Sequence, residues 1–322
     1  QNYIFLVNFN FRFIIISMKW LIITDNKKNN KKINDFIKNI DKNIDQNKEL
    51  LDYELDNFNL SQSEISYEEL TAAIFYSDDN SNVANKSSHE LNSLSGFLIA
   101  KKIPVFSNIT FIKENSFLQG EFLFSSETID TLFEVLKSNG PSIIENAKKR
   151  IARDNLLAKG LPFTSDCFAT YIAKNKMEIF NEFLEAGMEV NCRDDLGTPM
   201  LNIACRNDNF EFVEVLLDLG AELNAISEDR GYTAVMDAVW RGNEKITKYL
   251  IEKGAELNTI NKEGQTNLVL AVGANRENIV KLLAENGADP DVKDMMGMSA
   301  YNYATLFKKQ RLVDILKPYH KE

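Results

Sequence analysis

Hydrophobic and polar positions follow two different rhythms along the chain. Between residues 18 and 140, short apolar runs of strand length recur at 20–24 (WLIIT), 51–55 (LDYEL), 72–76 (AAIFY), 103–107 (IPVFS) and 121–124 (EFLF). Stretches of helical periodicity lie between them, at 32–48, near 66–70, at 88–101 and at 127–138. In the Lys/Asn-rich segment 26–47, Ile33, Phe36, Ile37, Ile40 and Ile44 keep a helical spacing, which predicts a solvated amphipathic helix rather than disorder. Strands alternating with helices predict βαβ units and a five-stranded parallel sheet. Residues 113–120 read as loop. A further helical stretch over 142–159 predicts a connecting and capping helix in a 141–160 joint between the two halves.

The second rhythm is a repeat. Gly197, Gly231, Gly264 and Gly297 stand 34, 33 and 33 residues apart, and Gly187, Gly220, Gly254 and Gly287 form a second series spaced 33, 34 and 33. Three members of the first series precede members of the second by 23 residues each time. Two series with one period and a fixed phase define a structural unit. In it a turn glycine leads into a short helix, as in GQTNLVLA (264–271). A second helix follows, with Ile279, Val280, Leu282 and Leu283, and a glycine loop closes the unit.

This unit resembles the ankyrin repeat. The stretches GTPMLNIA (197–204), GYTAVMDA (231–238), GQTNLVLA (264–271) and GMSAYNYA (297–304) match its helix start. GMEVN (187–191), GAELN (220–224), GAELN (254–258) and GADPD (287–291) match its loop. One extra residue lies between Asn224 and Gly231. The resemblance implies about five repeats over 161–322, the first and last degenerate. It also implies an all-α solenoid stabilised by nearest-neighbour packing, with Leu217 in an inter-helix core. The histidine that the family places in its helix start is replaced by Asn202, Met236, Val269 and Asn302, which predicts a less idealised stack.

The family binds proteins on a concave face built from hairpin tips and inner helices. Equivalent positions there hold Leu196, Arg230, Glu263 and Met296, then Thr198, Tyr232, Gln265 and Met298, then Arg206, Trp240, Gly273 and Leu306. Arg, Tyr and Trp are the side chains most enriched at binding hot spots, so Arg230, Tyr232 and Trp240 are the expected centre of a protein-binding face. Packing of Trp240 between helices is the structural alternative.

In the first half the predicted sheet is flavodoxin-like, and its ligands would lie at the carboxyl ends of the strands. No GxGxxG and no GxxxxGK[ST] occurs, so the common dinucleotide and phosphate loops are absent. Ala72 to Ser107 resembles the Toll/interleukin-1 receptor superfamily and the related nucleoside deoxyribosyltransferase-like folds. A strand there ends in Ser77, and a helix opens with Ser87-Ser88-His89-Glu90. That resemblance implies Glu90 as the catalytic carboxylate of an NAD- or nucleoside-cleaving site, with Ser77 as a ligand contact and NAD or a nucleotide as ligand. Ser87-x-x-Glu90 equally satisfies a capping box, which needs no ligand.

Composition narrows the function classes. The chain has 37 basic and 47 acidic residues, a net charge of -10, and only two histidines. The repeat half carries 26 acidic against 18 basic residues. Such a balance disfavours nucleic acid and favours a basic or apolar protein partner. Three cysteines in no zinc or disulfide spacing, and no transmembrane-length run, predict a cytoplasmic chain without metal or membrane partner. Residues 1–17 precede Met18 and are expected to be a non-native upstream extension, the alternative being a real strand or anchor. Three functions follow: a protein-interaction adaptor with a regulatory α/β module, a glycosidic-bond-cleaving enzyme aimed by its repeats, and a nucleotide-sensing module. Self-association of the α/β domain stays open.

Overall fold

In the computed structural model, the described residues are 19–24, 27–40, 50–54, 70–77, 88–109, 112 and 122–321. The chain divides into two compact units, residues 1–155 and 156–322. Residues 1–17 and the loop at 113–120 lie outside the described residues, as do residues 66–69 of the short helix expected near 66–70, while Leu70 opens a strand.

The first unit is built on a parallel sheet. Its strands are β1 (Lys19–Thr24), β2 (Leu50–Glu54), β3 (Leu70–Tyr76), β4 (Val105–Ser107) and β5 (Leu123–Ser125), in the order β2-β1-β3-β4-β5. Each described pairing is parallel. The two-residue period of the strands sorts their side chains onto two faces. Leu21, Ile23, Ala73 and Phe75 pack with Leu91, Leu94 and Leu98 of helix α2 (Ser88–Ala100). Trp20, Ile22, Ala72 and Ile74 face Ile33 and Ile37 of helix α1 (Lys27–Ile40), and Leu132, Leu136 and Ile143 of helix α3 (Ile129–Ala158). Both faces are thus covered, which explains why β1 and β3 read as nearly unbroken apolar runs.

Helix α3 corrects the expected joint. The sequence pattern predicts separate helices over 127–138 and 142–159, yet one 30-residue helix runs through Pro141. Its apolar stripe explains this. Leu132 and Leu136 before the proline and Ile143, Ile144 and Ile151 after it enter one core, and that burial outweighs the lost backbone bond. Just before the proline, Ser138 Oγ and Asn139 Nδ2 donate to the Val135 carbonyl at 3.0 and 2.9 Å. Residues 141–155 therefore belong to the first unit rather than to a separate linker.

The second unit is a stack of helix pairs. Repeat one is Ser165–Ala173 with Met177–Glu185, repeat two Met200–Arg206 with Phe210–Asp218, and repeat three Ala234–Arg241 with Glu244–Glu252. Repeat four is Asn267–Gly273 with Glu277–Glu285, and repeat five Ala300–Leu306 with Gln310–Leu316. Thr164, Thr233, Thr266 and Ser299 cap the first helices of their repeats, each side chain accepting from an amide three residues on. Hairpin turns stack directly. A Cβ on Gly264, whose φ is +77°, would stand 2.7 Å from the Met295 amide nitrogen, so neither the backbone angle nor the space admits a side chain.

The hairpins repeat one device. Asp194 Oδ1 accepts from the amides of Leu196 and Thr198, Asn261 Oδ1 from Glu263 and Gln265, and Asp294 Oδ1 from Met296 and Met298. In repeat three, where the extra residue falls, Ser227 Oγ takes this place and accepts from Tyr232 N at 3.0 Å. Between repeats, Asn191, Asn224 and Asn258 each accept from the next loop, at Glu222, Glu256 and Asp289. Leu217 is only half-buried, and the core position is its neighbour Leu216.

Candidate functional site

Hairpin tips and the ends of first helices carry exposed apolar side chains in several of the repeats. Met295 and Met296 crown the last hairpin, Met296 being 81% exposed, and Leu196 holds the equivalent tip position in repeat two. Leu306 and Phe307 end the first helix of repeat five, and Trp240 ends that of repeat three with 51% of its surface open. The alternative in which Trp240 packs between helices is therefore set aside. Glu263 is exposed at its hairpin tip, and Met298 is half-buried beneath the next one.

Tyr232 requires a correction. It was expected at the centre of the face, yet only 4% of it is exposed. The Arg230 guanidinium lies 4.5 Å above the Tyr232 ring and covers it. A ring held there supports Arg230 but offers a partner almost no area, so its truncation would damage the fold first. Arg230 itself stays 41% exposed.

Under these residues lies a charge network. Asp237, fully buried, accepts from Arg206 Nε at 2.9 Å, Arg230 Nη2 at 3.1 Å and Asn202 Nδ2 at 2.8 Å. Arg206 also forks onto Asp229, with bonds of 2.8 and 3.0 Å. Burial pushes the Asp237 carboxyl above its ordinary pKa, while Arg206, Asn202 and Arg230 pull it back. Burial acts on Asp229 in the same sense, but hydrogen bonds from Arg206, Ser227 and the Arg230 amide hold its carboxyl well below the usual range. Asn202 also donates to the Tyr232 carbonyl at 3.0 Å, so it links neighbouring repeats. Met236 and Val269 have no donor to do so, and Asn302 serves the capping box of its own helix. The network fixes Arg230.

In the sheet unit, Ser77 closes β3 and is buried. Its amide donates to Asn108 Oδ1 at 2.9 Å, and Asn108 Nδ2 donates to its carbonyl, which ties the carboxyl ends of β3 and β4 together. That burial does not suit the expected ligand contact. Glu90 falls in the first turn of α2, but its side chain lies outside the described residues. Among the described residues no three His, Cys, Asp or Glu side chains gather to hold a metal ion, and no helix is long and apolar enough to cross a membrane. Cys167, Cys192 and Cys205 are free thiols.

Paired helices, stacked hairpins and a 33-residue period define a repeat solenoid, and the family comparison identifies which. Residues 168–261 match a model of three ankyrin repeats and 263–295 a model of one more. Residues 168–295 are ankyrin repeats. The chain is 35% identical over 195 residues to an ankyrin repeat-containing protein of Treponema pallidum, covering 61% of this chain and 64% of that one. It is 32% identical over 100 residues to an ankyrin repeat protein of Borreliella burgdorferi, covering 31% and 44%. Over 95 residues it is 36% identical to the BRCA1-associated RING domain protein 1 of Caenorhabditis elegans, covering 30% and 13%. The chain thus spans less than two thirds of the length of these relatives. Neither family match enters the sheet unit, and the likeness of 72–107 to the Toll/interleukin-1 receptor superfamily finds no support in them.

Proposed function

We propose that the chain is a protein-interaction adaptor, with a partner held on the concave face of its ankyrin repeats. The observation that carries this reading is the set of exposed apolar side chains at hairpin tips and first-helix ends, Leu196, Trp240, Met296 and Leu306, together with charged Arg230 and Glu263 at equivalent tips. Large apolar side chains left open to solvent at these positions are available for burial against a partner. Trp240, in the same repeat as a cation held in place by Asp237, supplies residue types enriched at hot spots. The sheet unit acts as a regulatory or interaction module. Its strand order, 2-1-3-4-5, is that of flavodoxin-like sheets and supports that fold. Free thiols in all three cysteines suit a cytoplasmic setting.

A photo-reactive benzoylphenylalanine at Met296 or at Leu306 of the full chain tests the docking face. Both positions are expected to yield the same cross-linked protein. Lys248 and Lys281, exposed on second helices, should yield none. Adducts from the lysine positions alone would overturn the assignment of the face.

A further inference from the structure

The sheet unit contains a cleft of about 480 Å³ between one face of α3 and the amino ends of β4 and β5. Small-molecule sites occupy about 300–1,000 Å³. The lining residues of α3 include Asn139, Ile143, Asn146, Arg150 and Arg153, spaced at three, four and seven, so four turns of one helix face form one wall. Lys102 and Pro104, just before β4, and Phe122 and Phe124, at β5, form the other. Strand direction places this cleft at the opposite end of the sheet from Ser77, so it is not the site anticipated from the sequence.

Its charge runs against the rest of the chain. Lys102, Lys149, Arg150 and Arg153 line it against one carboxylate, Asp154, in a protein of net charge -10. Arg150 is the fixed member: its guanidinium donates to the Leu70 carbonyl at the start of β3. Burial holds Arg150 below its ordinary pKa, while the charge of Asp154 works in the other direction. A second anion near Arg150 would relieve that penalty. Lys149 is held by an exposed pair to Glu145, four residues earlier on the helix, a kind of contact that a phosphate readily outcompetes. The aromatic side is equally ordered. Phe124 stacks on the fully buried Phe106 with centroids 4.8 Å apart, and Phe122 stands half-buried before it.

We propose that this cleft binds a nucleotide, with its base against Phe122 and its phosphates among Lys102, Lys149, Arg150 and Arg153. A cluster of cations alone would accept any small anion, but a cleft of this size with an aromatic wall adds a place for a planar ring. Asn146 stands along the same wall, where a carboxamide can read a base edge. No bond is made or broken in this proposal. It does not rest on the docking reading of the repeats, and each can fail without the other.

Calorimetric titration of the full chain with ADP, adenosine and inorganic pyrophosphate tests it. ADP is expected to bind at one site per chain, and more tightly than either fragment. Lys149→Glu and Lys102→Glu, from opposite walls, should each weaken ADP about tenfold or more while leaving the far-ultraviolet dichroism unchanged. Phe122→Ala should weaken ADP and leave pyrophosphate as it was. Absence of heat with millimolar ADP, or ADP binding indifferent to both lysine reversals, would overturn the site. Pyrophosphate binding as tightly as ADP would overturn the nucleotide assignment.

Discussion

Replacing Asp237 by alanine removes the acceptor on which three donors converge. Taking one partner from a buried ion pair costs about 3–5 kcal/mol when the remaining charge is stranded. Here the stranding is partial. Arg206 keeps its two bonds to Asp229, Asn202 keeps its bond to the Tyr232 carbonyl, and Arg230 is exposed enough to turn to water. The raised pKa of Asp237 points the same way, since part of its charge is uncompensated as it stands. Asp237→Ala should therefore cost about 2–3 kcal/mol, below the full range for a stranded pair. At about 2–4 °C per kcal/mol for a unit of this size, the melting transition of the repeats should fall by roughly 4–12 °C. Urea unfolding followed by circular dichroism measures the cost, with the same substitution repeated in an Arg206→Met background. The second measurement should show a coupling of about 1 kcal/mol or more. A cost under about 1 kcal/mol, or an equal cost in both backgrounds, would refute the account of a shared buried network.

Leu216→Ala should cost about 2–5 kcal/mol, because its fully buried side chain leaves a cavity between helices, and Leu217→Ala clearly less. Equal losses in a urea titration would contradict the packing described. Acidification gives a second check. The depressed pKa of Asp229 means that its share of stability is fully present above the ordinary carboxylate pKa of about 3.9, and is lost as pH falls below it. Asp237, with a raised pKa, acts in the opposite sense, its ionisation lowering stability as pH rises from that same value. Asp229→Asn should accordingly flatten the acid limb of the stability profile, and an unchanged limb would show that the Arg206 fork contributes nothing.

Much of the repeat half is legible in the sequence because glycines recur at fixed intervals, each at a positive φ that favours them. Gly264 shows why: a positive φ and a neighbouring backbone nitrogen together leave no alternative. The Asp237 network is visible only once the repeats are aligned. Asp237 occupies the register that Ile203, Leu270 and Tyr303 hold in the sister repeats, and a carboxylate among apolar residues signals a buried partner. Tyr232 misled for a related reason, since residue type marks hot spots but burial decides them. In the sheet half, Gly140-Pro141 carries a strong local breaking signal. A core that recruits Leu136 and Ile143 from either side overrides it. The Ser77–Asn108 tie joins residues 31 apart with no periodic mark, so nothing in the sequence announces it.

Affinity measured face by face tests the central claim most directly. With the partner cross-linked through Met296 purified, titration against the full chain should show Trp240→Ala and Met296→Ala each weakening binding by about 1 kcal/mol or more, at unchanged melting temperature. Lys248→Ala and Lys281→Ala, on the second helices, should leave the affinity as it was. Loss of binding on the lysine side, with Trp240→Ala and Met296→Ala indistinguishable from wild type, would contradict the docking face proposed for these repeats.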